Sequence, residues 1–267
     1  MTAPLERAKR AADRRFRLGV GAVWMAMLAA FVAFVAGFDL KLGVVAAKLP
    51  SLLGLRLTPE GLLQGVPLTL LVCVFAMAFS VLLGFAAALG RLSRSPLAYG
   101  VGTFYNSFFR GTPLLLQILL IYLGLPQLGV VPTAIPSGIA ALSLCYGAYL
   151  SEIFRSAILA VRAEQWQAGM ALGLTRRGAL VHVVLPQAAK IAIPPTGAMF
   201  ISMLKDSSLV SVMGLWEIMF LAQSYGRSSY RYMEMLLAAA VIYWVLAIVL
   251  ELLQSRLEAR FRGAPQA

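Results

Sequence analysis

Long runs without a charged residue alternate with short, arginine-rich segments along this chain of 267 residues. The charge-free runs cover residues 18–38, 61–90 and 111–151. An α-helix rises about 1.5 Å per residue, so about 20 apolar residues cross the ~30 Å hydrocarbon core of a bilayer. The pattern therefore predicts an all-α integral membrane protein.

Six transmembrane helices fit this pattern. Glycine and proline residues between 124 and 138 divide the longest run into two spans. Residues 97–110 combine aromatic side chains with arginine, which is typical of a helix at the membrane interface. The region 187–231 is interrupted at 205–208, so it forms one span or contains a re-entrant helix. The predicted spans are 18–38, 61–90, 112–124, 137–159, 187–231 and 233–253.

The composition supports a membrane protein, since 60% of the residues are hydrophobic and only 13% are charged. Soluble domains carry about 25% charged residues. The net charge of +12 does not indicate a nucleic-acid-binding face, because the arginines cluster at the ends of apolar runs. That distribution is typical of the positive-inside bias of membrane proteins.

The same bias orients the chain. It places the basic tail 1–17, the turn 91–94, the segment 155–190 and the tail 256–267 in the cytoplasm. Residues 39–60 then form an external, periplasmic loop. Both termini are predicted to be cytoplasmic.

The first span is predicted to be retained and not cleaved as a signal peptide. A long basic region at 7–17 precedes it, and its apolar stretch exceeds the ~7–15 residues of a signal sequence. Its end lacks the small-residue pattern of a cleavage site.

The residues that carry enzyme chemistry are sparse. Cys73 and Cys145 lie inside apolar runs, and His182 is the only histidine, without acidic or thiol partners at ligand spacing. A phosphate-binding Gly-x4-Gly-Lys-Ser/Thr loop is absent from the sequence. The chain is therefore predicted not to be an enzyme, to bind no metal and to hold no cofactor itself.

One polar segment, residues 162–187, stands between two apolar regions. Trp166, Met170 and Leu174 form an apolar stripe at helical spacing. Gly173 suits the residue after a helix end, and Thr175 can cap a second helix that Pro186 ends. The residues alone fit either a docking helix for a cytoplasmic partner or a plain amphipathic surface loop.

The spacing of this segment resembles a known motif. Gln167-Ala168-Gly169, three residues, Gly173, nine residues and Val183-x-Leu185-Pro186 resemble the EAA loop of ABC-importer permeases, Glu-Ala-Ala-x3-Gly-x9-Ile-x-Leu-Pro. Further matches, in order, resemble the polar amino-acid branch, the histidine/glutamine/glutamate/arginine/opine group. They are Phe109-Arg110-Gly111-Thr112-Pro113, the stretch from Tyr149 through Glu152 and Arg155 to Ile158, Leu185-Pro186-Gln187-Ala188, and Leu204-Lys205-Asp206-Ser207-Ser208-Leu209.

The sequence departs from the family pattern at three motif positions. Gln167 stands in place of glutamate, Gly169 in place of alanine and Val183 in place of isoleucine. The resemblance covers about 61–253, so span 18–38 is extra to the five-span core of many members.

The resemblance implies a division of labour among several chains. It implies a type I permease fold over 61–255, two cytoplasmic ABC ATPase subunits that bind ATP and Mg²⁺, and a second permease, identical or related. It also implies a periplasmic solute-binding protein, contact with membrane lipid and location in the bacterial inner membrane. The expected ATPase-coupling residues are Gln167, Ala168, Gly169, Leu172, Gly173 and Arg176.

Ionisable residues within spans indicate candidate sites for an amino acid or a related small polar solute. Glu152, beside Tyr149, either forms an internal salt bridge with Arg155 or attracts a substrate amino group or orders a gate. Asp206, with its two serines, either lines the pathway or belongs to an external loop. Glu217 and Glu234 are expected at the external surface. The substrate set is Tyr149, Glu152, Asp206, Ser207 and Ser208, and the structural set is Arg110, Pro113, Arg155 and Pro186.

Two other classes of function compete with this interpretation. An ion-coupled secondary transporter often carries inverted repeats, and the sequence shows no convincing repeat. An intramembrane enzyme needs a paired catalytic set within its spans, which the sequence lacks.

Overall fold

The computed structural model describes residues 3–38, 40–58 and 61–261, all in helices and their connections. The chain divides into two compact units, residues 1–43 and 44–267. In the first unit, α1 (Ala3–Ala36) is one unbroken helix. Its stretch Arg14–Phe34 has the length and composition of a membrane span, consistent with the predicted span 18–38.

The second unit is a bundle of ten helices within the described residues. Two π-helical turns and two 3₁₀ segments connect some of them. The π turns are Leu120–Gly124 and Leu180–Val184, and the 3₁₀ segments are Leu125–Leu128 and Ser207–Met213. The helices are α2 (Leu42–Leu52), α3 (Val66–Leu92), α4 (Pro96–Gly111), α5 (Leu114–Leu119), α6 (Ala134–Ala160), α7 (Ala163–Ala171), α8 (Arg176–Ala179), α9 (Leu185–Asp206), α10 (Ile218–Ser229) and α11 (Tyr232–Phe261).

Among the described residues, four helices are long and apolar enough to cross a membrane alone. Two bent pairs bring the number to six if each pair is one span. The first pair joins α4 to Leu114–Leu128 at an angle of 106°, and the second joins Arg176–Met213 to α10 at 49°. The prediction of an all-α membrane protein is confirmed. The bends lie at residues 112–113 and 214–217, not at the predicted interruptions 124–138 and 205–208.

The core is built on the close packing of α3 against α6. Small residues make that approach possible: a Cβ atom on Gly84 would lie 2.8 Å from the carbonyl oxygen of Gly147 and from the Cβ of Leu150. Helices in membranes commonly use such small residues at their contacts. Ser80 and Ser143 reinforce the contact with hydrogen bonds to the carbonyls of Ser143 and Ala76, respectively. Helix α6 is thereby the most enclosed span and carries the polar residues described below.

The predicted external loop 39–60 contains a helix that the sequence did not indicate. Residues 42–52 form α2, although Pro50 lies inside it. Leu52 at its end is fully buried in a cluster with Ile218, Leu221 and Met235. Tertiary packing has therefore overridden the local preference.

The expectation that Glu217 and Glu234 lie at the external surface is wrong. Glu217 is fully buried and Glu234 is 4% exposed. The carboxylate of Glu217 accepts hydrogen bonds from the first backbone amides of α10 and from the hydroxyl of Tyr243 at 2.7 Å. Glu234 pairs with Arg231 at 3.3 Å. Both carboxylates are buried because helix capping and ion pairing satisfy them.

Candidate functional site

The 162–187 segment folds as a helix, a sharp turn and a second helix, which confirms that part of the prediction. Helix α7 ends where the amide of Leu174 donates to the carbonyl of Gly169 at 3.1 Å, and Gly173 takes a left-handed φ of 87°. This pattern closes a helix end with a glycine after it. The Thr175 hydroxyl then accepts from the amide of Gly178 at 3.1 Å and begins α8.

Gly169 faces the inside of this segment. A Cβ on Gly169 would lie 3.3 Å from the Cβ of Ala179 and from Cγ2 of Val183. The side-chain amide of Gln187 also donates to the side-chain oxygen of Gln165 at 3.1 Å, which joins α7 to the start of α9. Helix α7 is therefore packed against α8 and the π turn at Gly169 and bonded to α9 through Gln187.

The other predicted coupling positions are exposed. Leu172 is the extreme case, with 85% of its surface accessible, and Met170 is 46% exposed. Met170 therefore leaves the predicted apolar stripe, while Trp166 packs against the cluster beneath α7. The remaining exposed predicted coupling residues are Gln167, Ala168, Gly173 and Arg176.

Pro186 loosens the helix but does not break it. The amide of Leu185 donates to the carbonyl of Leu180, five residues earlier, and forms a π turn. The same arrangement precedes Pro126, where Leu125 donates to Leu120. A proline ring lacks an amide hydrogen and clashes with the carbonyl four residues earlier, so the turn before it widens. The predicted helix end at Pro186 is replaced by a continuous, locally widened helix.

A polar cluster joins α3, α4 and α6 around Glu152. Its carboxylate lies 2.7 Å from Arg91, 3.4 Å from Arg155 and 3.8 Å from Arg110. The pairing with Arg155 is one of the alternatives that the sequence left open, and the other two arginines come from distant parts of the chain. Three guanidinium groups face one carboxylate, so the cluster keeps a surplus of positive charge. The side chain of Arg91 is only 13% exposed, whereas that of Arg110 is 40% exposed.

Buried amide side chains, which no sequence pattern indicated, hold α4 in place. Asn106 donates to the carbonyl of Ala148 at 2.9 Å and to the hydroxyl of Ser151 at 2.8 Å. Gln117 donates to Phe109 at 2.9 Å and to both oxygens of Thr112. These bonds fix the bend between α4 and α5.

Pro113 marks that bend directly. Pro113 and the residue before it, Thr112, both adopt extended backbone angles, and α5 begins at the next residue. The residue before a proline is disfavoured in the helical region, so the chain turns there. Arg110 lies in the last turn of α4, over the ring of Tyr149 with its guanidinium carbon 5.4 Å from the ring centre.

Asp206 is held by a tyrosine that the sequence did not single out. The hydroxyl of Tyr146 donates to Oδ2 of Asp206 at 2.7 Å, across α6 and α9. The hydroxyls of Ser207 and Ser208 donate to carbonyls of their own helix at 2.7 Å each. The chain at this point tightens into a 3₁₀ helix and does not open into a loop.

Comparisons with known proteins identify the family. Residues 80–263 match the family model described as "Binding-protein-dependent transport system inner membrane component". The chain belongs to this family. The permease is therefore a non-catalytic membrane component, as its lack of a phosphate-binding loop predicted.

Relatives within the family narrow the class of transporter. A probable amino-acid permease, YxeN from Bacillus subtilis, is 40% identical over 200 residues, covering 74% of this chain and 89% of the relative. The L-cystine transport system permease TcyB from the same organism is 39% identical over 201 residues, covering 75% and 84%. The permease is a multi-pass inner-membrane subunit of an amino-acid ABC importer.

Solved structures agree with this assignment. A crystal structure of an amino-acid ABC transporter with histidines has a TM-score of 0.75 and 34% identity, covering 84% of this chain and all of the other. The methionine transporter MetNI, at 16% identity and a TM-score of 0.66, shares the fold over 74% of this chain and 95% of the other. The predicted permease fold is confirmed. Membership of a binding-protein-dependent family implies ATPase and binding-protein partners.

Proposed function

We propose that the permease docks its ATPase through the outer face of the 162–187 segment. The observation that carries this proposal is the division of the segment into two faces. Gly169 packs inward against Ala179, whereas Leu172, Ala168 and Gln167 face outward. A segment bonded to α9 by Gln187 can pass a movement of the ATPase into the spans.

The outer face favours docking by shape over docking by charge. The apolar side chains of Leu172 and Met170 are exposed. The small side chain of Ala168 lets the surface of the ATPase approach closely. Gln167 keeps hydrogen-bonding capacity but lacks the charge of the family's usual glutamate.

Replacing Ala168 with tryptophan tests the docking face. Added bulk at an interface costs about 1–3 kcal/mol, so we expect about tenfold less ATPase to copurify with the permease. Ala160→Trp is the matched control, because Ala160 is exposed at the end of α6 and lies outside the segment. If Ala168→Trp retains its ATPase as well as Ala160→Trp does, the docking face lies elsewhere.

We propose that Tyr149, Glu152, Asp206, Ser207 and Ser208 lie along the substrate pathway, with separate roles. Glu152 is already neutralised by arginine, so it orders the cluster and does not attract an amino group.

Asp206 and Arg110 carry opposite charges, each contacts a tyrosine of α6, and together they fit a zwitterion. Tyr146 binds Asp206, and Tyr149 lies beneath Arg110. The two tyrosines are three residues apart, a rise of about 4.5 Å. Asp206 would receive the α-amino group and Arg110 the carboxylate, so the substrate is an amino acid bound by its common main-chain groups. This accords with relatives whose names cite L-cystine, arginine and glutamine.

Asp206→Asn tests the role of the carboxylate. The amide can still accept from Tyr146, but a charge-assisted bond to an amino group is lost, worth about 1.5–3 kcal/mol. We expect the KM for uptake to rise at least about tenfold, with ATPase copurification unchanged. Ser255→Ala is the control and should leave the KM unchanged, because Ser255 lies outside the proposed pathway and its hydroxyl donates to its own helix. An unaltered KM in Asp206→Asn would remove this residue from the pathway.

We propose further that both termini are cytoplasmic, and that two ATPase subunits bind two permeases, identical or related. The domain of permeation is 61–255, with 18–38 as an added span and 39–60 in the periplasm. The arginine-rich turn 91–94 and the 155–190 region support this orientation. A reporter enzyme that is active only in the periplasm, fused to the C-terminus, should be inactive because the C-terminus is cytoplasmic. The mass of the purified complex would give the stoichiometry.

A further inference from the structure

A large cavity lies among the spans, and none of the residues of the proposed pathway lines it. It has a volume of about 590 Å³ and lies between α3, α6 and α9, with Leu257 of α11 also in its wall. Its wall is formed by residues such as Val81, Phe154, Ala189 and Phe200. No step of the proposed transport uses it.

The wall excludes a polar occupant. Thr196 is the only polar side chain among the lining residues, and its hydroxyl oxygen lacks a hydrogen-bond partner. A stable buried water needs about two to four polar partners, and a zwitterion needs more. An empty space of this size forfeits the dispersion contacts of its wall. An apolar group that enters it restores those contacts.

The shape suits a single flexible chain. The cavity follows α9 from Leu185 to Phe200, a rise of about 22 Å, and α3 from Met77 to Phe85, about 12 Å. These lengths bracket half of the ~30 Å hydrocarbon core. The volume is about four times a cavity that holds one benzene molecule, which is room for about two dozen carbon atoms. A helix about 10 Å across would need about 1,000 Å³ over the shorter length.

Two cationic residues are adjacent in sequence to lining residues and suggest the headgroup. Lys190 follows the lining residue Ala189 on α9, and Arg256 precedes Leu257 on α11. Both are exposed. Long cationic side chains on spans extend toward the phosphates of the bilayer surface.

We propose that this cavity binds an acyl chain of an anionic phospholipid, with Lys190 and Arg256 near its phosphate. The bound chain completes the packing between α3, α6 and α9. The proposal requires only that these helices span the membrane, and it stands apart from the proposed docking face and substrate residues.

Photolabelling of the whole transporter in lipid vesicles tests the site. Phosphatidylcholine vesicles would carry a trace of phosphatidylglycerol with a photoreactive acyl chain, and labelled residues would be mapped by mass spectrometry. We expect labels on cavity residues such as Val81 and Ile193. Ala189→Phe should lower them, because its ring takes up about a quarter of the cavity. Ala240→Phe, at an exposed position of α11 outside the wall, is the control and should leave them unchanged.

The headgroup preference is tested by the double variant Lys190→Gln, Arg256→Gln. Each cation near a membrane surface favours an anionic lipid about fivefold. The double variant should therefore label equally with phosphatidylglycerol and phosphatidylcholine probes while keeping its cavity labels. Labels spread evenly over all lipid-facing helices would overturn the proposal. A disulfide between Ala189→Cys chains of two permeases would overturn it too, since a second copy would then cover the cavity.

Discussion

Glu152→Ala is expected to destabilise the permease by about 3 kcal/mol. The substitution leaves Arg91, Arg110 and Arg155 facing one another without their shared carboxylate. Removing one partner of a buried ion pair costs about 3–5 kcal/mol, and the low end applies because Glu152 is 33% exposed. The midpoint of thermal unfolding of the purified permease, compared with the unaltered protein, measures the loss.

Glu164 provides the matched control. Its ion pair with Arg162 has a similar distance, 3.3 Å, but both side chains are more than half exposed. Exposed ion pairs contribute about 0–1 kcal/mol, so Glu164→Ala should barely change the midpoint. Equal changes of the unfolding midpoint in the two variants would show that the ion pairs of Glu152 do not stabilise the fold.

Gly169→Leu is expected to separate ATP hydrolysis from uptake. The leucine side chain must enter the space held by Ala179 and Val183, which already lie 3.3 Å from the position of a Cβ. Overpacking of this kind costs about 1–3 kcal/mol and would displace α7 from α8. Amino-acid uptake per ATP hydrolysed, measured in vesicles with the whole transporter, should fall about tenfold.

Gly169→Ala distinguishes the effect of a bulky side chain on coupling from the effect of losing glycine itself. A single methyl group needs its neighbours to yield by a few tenths of an ångström. Alanine also favours a helix by about 1 kcal/mol over glycine. We expect near-normal coupling in this variant, and the family motif carries alanine at the position. Normal coupling in Gly169→Leu would show that the contact with Val183 plays no part in transmission.

Local signals allowed part of the site to be predicted from sequence. Gly173 and Thr175 define the turn of the 162–187 segment through contacts within five residues, so their residue types suffice. The pairing of Glu152 with Arg155 is likewise local, at i and i+3 on one helix. The motif spacing then supplied the family.

Long-range contacts escaped the sequence for a physical reason. Arg91 reaches Glu152 across 61 positions, and Tyr146 reaches Asp206 across 60. Neither pairing produces a recognisable spacing pattern in the sequence. Glu217 was misplaced for the same reason, since only the fold shows that Tyr243 and the start of α10 satisfy its carboxylate. The inward orientation of Gly169 also depends on neighbours that spacing does not reveal.

Because the helix continues through the π turn before Pro186, the number of residues between α7 and α9 determines how α7 is oriented relative to α9. Each residue of an α-helix turns the chain by about 100°. Inserting or deleting one residue between Gly173 and Val183 would therefore rotate α7 by about 100° around the axis of α9. The nine residues between Gly173 and Val183 therefore set the orientation in which α7 is presented to the ATPase.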